Sequence, residues 1–423
     1  MLAELWFDFS CPYAYLASTQ VERLAARTGA TIDPRPMLLG GVFRAHAIPA
    51  NLSAAISVPK ARANAADLAR WARVFGVVLS FPSGHPFRTV DALRALLVIG
   101  LPSWGLIHRL YRAYWVEGID LGDRVALARL LSEAGHDGAR VMAEIDRESV
   151  KDDLRRRTEE AISRGVFGAP AFFVEDALFW GQDRLADVER ALGGSPAPLG
   201  GSPAPLGGSP APLGASSVPI APGAEPVEFF FDYACPWAAI AAERVEALFG
   251  AALSWRPVRL DTILRRVNPP NGGLPHLSEA KRAYLESDLR RQAERFGVVI
   301  EAPSRQLSWS PRALAVSARA ASQAPQQAPA LIRALFRARW AEGRDIEATE
   351  TLEACAQKAG IDAGTLFADA AASDDALERA TEEALERGVF GVPAVTVGDR
   401  AVFFGQDRLE LAARAVVGDD PGV

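Results

Sequence analysis

Trp6-Phe7-Asp8-Phe9-Ser10-Cys11-Pro12-Tyr13-Ala14 is written a second time as Phe230-Phe231-Asp232-Tyr233-Ala234-Cys235-Pro236-Trp237-Ala238, 224 positions further on. A short apolar strand that runs straight into Cys-Pro predicts a strand-to-helix corner. Proline presets φ for the first helical position, where its missing N–H costs nothing. Working outward, Arg35-Pro36 returns as Arg256-Pro257, and Arg164-Gly165-Val166-Phe167-Gly168-Ala169-Pro170 returns as Arg387-Gly388-Val389-Phe390-Gly391-Val392-Pro393. Phe179-Trp180-Gly181-Gln182-Asp183-Arg184 likewise returns as Phe403-Phe404-Gly405-Gln406-Asp407-Arg408. The spacing drifts by only a few residues across each copy, which marks a duplicated domain and not a solenoid of short periods.

Between the copies, Gly-Gly-Ser-Pro-Ala-Pro-Leu occurs three times in succession from Gly193 to Leu213. Such a stretch has almost nothing to bury and reads as a semi-extended tether. The expected organisation is therefore a domain at 1–192, a linker at 193–225, a second domain at 226–416 and a tail at 417–423.

Periodicity gives each copy the same plan. In the first, an apolar strand at 3–9 leads into a helix from Pro12 to about Arg27, then a strand from Thr31 to Leu38. Residues 61–163 read as helical throughout. A β-hairpin follows, with arms at 171–174 and 178–180, and Gln182 to Leu192 closes the copy with a helix. The order βαβ, long helical insertion, ββα is an α/β arrangement, packed most economically as a central sheet with helices on its faces.

Composition removes whole classes of function. The chain has 423 residues, 52 of them acidic and 46 basic, for a net charge of −6. That balance argues against a general nucleic-acid binder, and no apolar run reaches the roughly 20 residues that span a bilayer. The first residues lack a basic region and a small-residue cleavage site, so no signal peptide is expected. Three cysteines supply no disulfide framework, and a reducing cytoplasm is the expected setting. The five histidines show no metal-ligand spacing, and no metal is expected.

Cys11 and Cys235 are the candidate catalytic residues. A thiol at a helix start faces unpaired N–H groups and the positive end of the helix dipole, and both favour an acidic, nucleophilic thiolate. A resolving cysteine would stand three positions on, where the chain has Ala14 and Ala238, so neither copy can close an internal disulfide there. Cys355, in an apolar helical run, reads as core. A proline entering a strand at Pro170 or Pro393 is unusual; a cis peptide bond would turn the preceding residue, Ala169 or Val392, outward as an edge on which an extended peptide pairs. Gln182-Asp183 and Gln406-Asp407 open a helix, where the carboxylates either cap it or meet a ligand's ammonium group. Lys60 with Asp67, and Lys281 with Asp288, read as charged helix faces; Tyr284 has Ala63 opposite it. Arg44 and Arg265, after the second strand, are placed to meet a substrate carboxylate. Trp115 and Trp340 read as core.

Taken together these motifs resemble the 2-hydroxychromene-2-carboxylate isomerases and kappa-class glutathione transferases, which share a DsbA-like thioredoxin fold with a large helical insertion. The resemblance covers almost all of both copies. It implies glutathione as cofactor: Cys11 and Cys235 beside its thiolate, Ala169, Pro170, Val392 and Pro393 along its backbone, and Gln182, Asp183, Gln406 and Asp407 at its γ-glutamyl end. Lys60, Lys281 and Asn268 join the same site, with Tyr13, Trp237, Arg44 and Arg265 on the side of a small conjugated 2-oxo acid. In this family the thiolate adds to the substrate, a bond rotates, and elimination releases the isomer. The family isomerases carry serine where this chain has Cys11 and Cys235. A monothiol redox enzyme and a non-catalytic tandem binding module are the alternatives. Relatives of this kind pair as dimers, a pairing that a tethered tandem supplies within one chain.

Overall fold

The structure, a computed structural model, describes residues 1–49, 56–100, 104–195, 225–268, 277–301, 309–362, 364 and 370–418. Most of the predicted linker lies outside them. The chain divides into two compact units. Unit 1 comprises residues 1–55, 68–214 and 277–285, and unit 2 comprises 56–67, 215–276 and 286–423. Each unit thus includes a short stretch from the other sequence copy.

Unit 1 is built on four strands, β1 (Leu2–Phe7), β2 (Thr31–Pro36), β3 (Ala171–Val174) and β4 (Ala177–Trp180), in the spatial order β2-β1-β3-β4. β1 pairs parallel with β2 and antiparallel with β3, and β3 and β4 form the predicted hairpin. β1 is central, which is why its residues from Leu5 to Phe7 are buried. Leu5, Val21, Leu24, Ile32, Phe172, Phe179 and Val188 form the core on one face. The register sets Trp6 opposite Ala171, so Pro170 falls beside the end of β1, where the cysteine loop begins.

The expected single helix after Cys-Pro is two helices, α1 (Pro12–Ser18) and α2 (Val21–Thr28), the latter ended by Gly29 at φ +66°. The Ser18 and Thr19 hydroxyls bond back to the Tyr15 and Leu16 carbonyls at 2.7 Å where the first helix ends, while Tyr15 O also keeps the Thr19 N–H at 3.3 Å. A further helix, α3 (Leu39–Ala45), occupies a stretch with no helical reading because it contains Gly40 and Gly41. Its first N–H groups are met from a distance: Leu39 N donates to Asp8 Oδ2 at 2.9 Å, and Leu38 N to Thr158 Oγ1 at 3.0 Å. Tertiary capping here overrides poor local propensity.

The insertion is helical as predicted: α4 (Val58–Phe75), α5 (Val90–Ile99), α6 (Trp104–Trp115), α7 (Arg124–Glu133), α8 (Gly138–Glu144) and α9 (Glu148–Ser163). After β4 the chain makes a 3₁₀ turn at Gln182–Arg184 before α10 (Leu185–Ala191), so the closing helix starts three residues later than expected.

Unit 2 repeats the plan with β5 (Val227–Phe231), β6 (Leu253–Pro257), β7 (Ala394–Val397) and β8 (Phe403–Phe404) in the order β6-β5-β7-β8. Its helices are α11 (Pro236–Ala242), α12 (Val245–Phe249), α13 (Leu260–Val267), α14 (Glu279–Arg295), α15 (Pro311–Gln323), α16 (Ala328–Trp340), α17 (Thr349–Lys358), α18 (Ala370–Glu386) and α19 (Leu409–Val416). The segment of α14 up to Leu285 belongs to unit 1, and the segment of α4 up to Asp67 to unit 2. Among the described residues no helix is long and apolar enough to cross a membrane.

Candidate functional site

The site of each unit forms where the cysteine loop meets the proline edge. Ala169–Pro170 and Val392–Pro393 are both cis, as expected from the motif. The Cys11 thiol donates to the Ala169 carbonyl at 3.1 Å, and the Cys235 thiol to the Val392 carbonyl at 3.2 Å. The sequence-predicted catalytic and backbone-pairing residues are therefore adjacent in both units.

The loop that presents each sulfur is fixed from beneath by the helical insertion. Trp115 Nε1 donates to the Phe9 carbonyl at 2.8 Å, and Tyr111, whose ring packs against Phe9 at 4.9 Å, donates its hydroxyl to the Asp8 carbonyl at 3.2 Å. In unit 2, Trp340 Nε1 donates to the Tyr233 carbonyl at 3.0 Å. Both tryptophans are core, as read from sequence.

The expectation of an acidic thiolate is overturned. Cys11 is 6% exposed and Cys235 8%, and burial pushes both thiols up to about 12. The N–H groups of Tyr13 and Ala14, or of Trp237 and Ala238, act in the opposite direction, but desolvation of a thiolate outweighs two donors on a helix of seven residues. Near neutral pH each sulfur is a thiol, a hydrogen-bond donor instead of a nucleophile. Cys355 is also buried, with its thiol pushed up by desolvation, in agreement with a core role.

Beneath each cysteine lies a buried aspartate, and here the copies diverge. Asp8 accepts from Ser10 N and Ser10 Oγ at 3.0 Å, Thr89 Oγ1 at 2.6 Å and Leu39 N at 2.9 Å. Among the described residues Asp232 keeps only the two backbone donors, Ala234 N at 2.8 Å and Leu260 N at 2.9 Å. Alanine replaces Ser10, and the counterpart of Thr89 is Ser310, whose hydroxyl accepts from Arg339 at 2.8 Å. With less compensation for burial, the Asp232 carboxyl is pushed up to about 6.

Asp183 and Asp407 stand in the 3₁₀ turns, beside Arg184 at 3.4 Å and Arg408 at 3.2 Å. A Cβ on Gly181, at φ +107°, would come within 2.4 Å of the Asp183 carboxylate, so only glycine permits this turn. Gln182 and Gln406 are buried; Gln406 accepts from Arg244, whereas Gln182 Nε2 has no hydrogen-bond partner among the described residues.

The two lysines fall in the units by segment. Lys281 belongs to unit 1, its ammonium 5.3 Å from the Trp180 ring centre and 6.0 Å from that of Phe167. Lys60 belongs to unit 2, where burial lowers its pKa and Asp67 of the same segment is paired in both oxygens with Arg408 at 2.7 and 3.0 Å. Tyr13 and Trp237, the second residues of α1 and α11, are half-buried. Arg44 and Arg265 end α3 and α13 and are exposed, Arg265 ion-paired with Asp261 at 2.9 Å. Neither arginine is hydrogen-bonded to the cysteine or the proline edge. Asn268 forms the C-cap of α13. The Asp8–Thr89 pairing escaped the sequence reading, and the Tyr284–Ala63 difference read there did not reveal that Tyr284 packs on Phe167 and Trp180.

Residues 3–193 and 226–417 each match the DSBA-like thioredoxin domain, so the chain belongs to that family and carries its domain twice. Within the family it is homologous to isomerases and kappa-class glutathione transferases. The 2-hydroxychromene-2-carboxylate isomerase of Sphingobium xenophagum is 32% identical over 192 residues, 45% of this chain and 96% of that enzyme. Glutathione S-transferase kappa 1 of Homo sapiens is 28% identical over 204 residues, covering 44% and 88% respectively. A solved structure of a 2-hydroxychromene-2-carboxylate isomerase aligns with 28% identity and a TM-score of 0.41, over 46% of this chain and 95% of that one.

Proposed function

We propose that the chain is a glutathione-dependent isomerase acting on an aromatic or conjugated 2-oxo acid, with one site in each unit. The observation that carries this reading is the repeated pairing of a neutral, buried thiol with the carbonyl that precedes the proline edge. The donor set suits a small anionic thiol peptide. There is a backbone edge at Ala169 or Val392, a lysine ammonium in each unit, a carboxylate at Asp183 or Asp407 for an ammonium group, and in unit 1 the orphaned buried donor Gln182 Nε2.

When bound, glutathione supplies a thiolate that adds reversibly to the conjugated acid and leaves again after bond rotation. The protein's own residues hold and tune that sulfur. The Cys11 and Cys235 S–H groups, neutral near pH 7, donate as the family's serine hydroxyl does, and the N–H groups at the start of α1 and α11 reinforce them. The indole and phenol contacts from α6 and α16 keep the donor from moving as charge forms and disappears. The same raised thiols, together with alanine at the resolving positions, weigh against the monothiol redox reading, which requires a thiolate.

The test follows chromene-carboxylate absorbance with and without glutathione, alongside intact mass after treatment with glutathione disulfide. Isomerisation that requires glutathione, persists in Cys11→Ser/Cys235→Ser and leaves no mass adduct on the native protein is expected. An adduct on both cysteines without isomerisation would replace this reading by the redox one.

A further inference from the structure

One residue roofs the rings beside the candidate site of unit 1, and among the described residues unit 2 has no counterpart to it. Tyr284 is 5% exposed, with its ring 5.4 Å from Phe167 and 6.2 Å from Trp180. Its hydroxyl accepts from Trp180 N at 3.1 Å. Phe167 lies two residues before Ala169, and Trp180 three before Asp183, so the phenol ties together the two backbone segments assigned to the ligand. Lys281, one helical turn earlier, rests its ammonium over the same two rings.

Unit 2 keeps the floor of this arrangement. Phe390 and Phe404 take the places of Phe167 and Trp180, with ring centres 4.6 Å apart. At the position equivalent to Tyr284 unit 2 has Ala63, and Phe404 remains 41% exposed. Among the described residues Lys60 has no aromatic ring beneath it.

We infer that one chain holds two glutathione sites of unequal affinity: a preorganised, tighter site in unit 1 completed by Tyr284, and a looser one in unit 2. The inference rests on the glutathione reading above and deepens it. Segments already held in place lose less freedom on binding, and that difference appears directly as affinity. Loss of one backbone hydrogen bond and its ring contacts corresponds to about tenfold in the dissociation constant.

Calorimetric titration of reduced glutathione into the full chain tests this. Two classes of one site each are expected, with quenching of Trp180 fluorescence accompanying the tighter step, because unit 2 has phenylalanine at that position. Tyr284→Ala should weaken the tighter class about tenfold and leave the other unchanged. Tyr284→Phe should weaken it less, since only the hydroxyl tie is lost, and Ala63→Tyr should tighten the weaker class. Two equal sites, or a Tyr284→Ala variant whose affinities are unchanged or improved, would overturn the inference while leaving the proposed function intact. No binding of glutathione at all would instead remove the proposed function.

Discussion

Adding one hydroxyl donor beside Asp232 should halve a pH dependence of unit 2. The perturbation is Ala234→Ser, which supplies the counterpart of the Ser10 hydroxyl from which Asp8 accepts. Asp232 is buried with two backbone donors, and its carboxyl is pushed up to about 6 from an ordinary value of 3.8. At neutral pH, ionising such a group inside the fold costs about 3 kcal/mol of stability. The sign follows from the direction: a carboxyl raised in the folded state favours folding when protonated. Its contribution is therefore fully present below about pH 4 and is lost as pH rises through about 6. The facing groups are Arg339, which holds the carboxyl down, and Asp261, which pushes it up; Cys235 and Tyr233, both with raised pKa values, stay neutral across this range. One added hydroxyl donor to a carboxylate offsets about 1.5 kcal/mol, so it removes about half of the cost. The assay is denaturant unfolding of the full chain from pH 4 to 8, with hydrogen exchange of peptides spanning 227–267 reporting unit 2. Native unit 2 should lose on the order of 3 kcal/mol relative to Asp232→Asn across that range, and Ala234→Ser about half as much. A native protein whose difference from Asp232→Asn is flat with pH would refute the reasoning.

The remaining predictions concern the sulfur and its surroundings. Cys11→Ala/Cys235→Ala should lower isomerisation by about tenfold to a hundredfold, while the serine pair stays within a few-fold, because the donor and not the sulfur's reactivity matters; steady-state rates decide it. With both thiols at about 12, iodoacetamide should alkylate Cys11 and Cys235 at pH 8 far more slowly in the folded chain than in urea, as read by peptide mass. Gly181→Ala forces a side chain onto the Asp183 carboxylate at a left-handed φ, and should destabilise unit 1 by about 1–3 kcal/mol in denaturant melts while weakening glutathione binding there.

Much of the fold was legible because its signals are local. Apolar alternation marked the strands, Cys-Pro and Phe-Gly-x-Pro marked the corners, and the repetition of both announced the duplication. What escaped depended on contacts distant in sequence. α3 forms across Gly40-Gly41 only because Asp8 and Thr158 supply its caps. The cysteines lie at helix starts, as read, yet their protonation is decided by burial, which a helix-dipole argument does not contain. Tyr284 faces Phe167 and Trp180 across more than a hundred residues of sequence, a juxtaposition that no spacing rule reveals.

The exchange of short segments has a practical side. Severing the polypeptide within the Gly-Ser-Pro spacer would not release two self-sufficient halves. A product ending near residue 195 would lack 277–285 and the Tyr284 ring that packs on Phe167 and Trp180, while its counterpart would lack 56–67 and the Asp67 carboxylate that pairs with Arg408. Each compact unit draws on both sequence copies, so the natural object of any dissection is the whole chain.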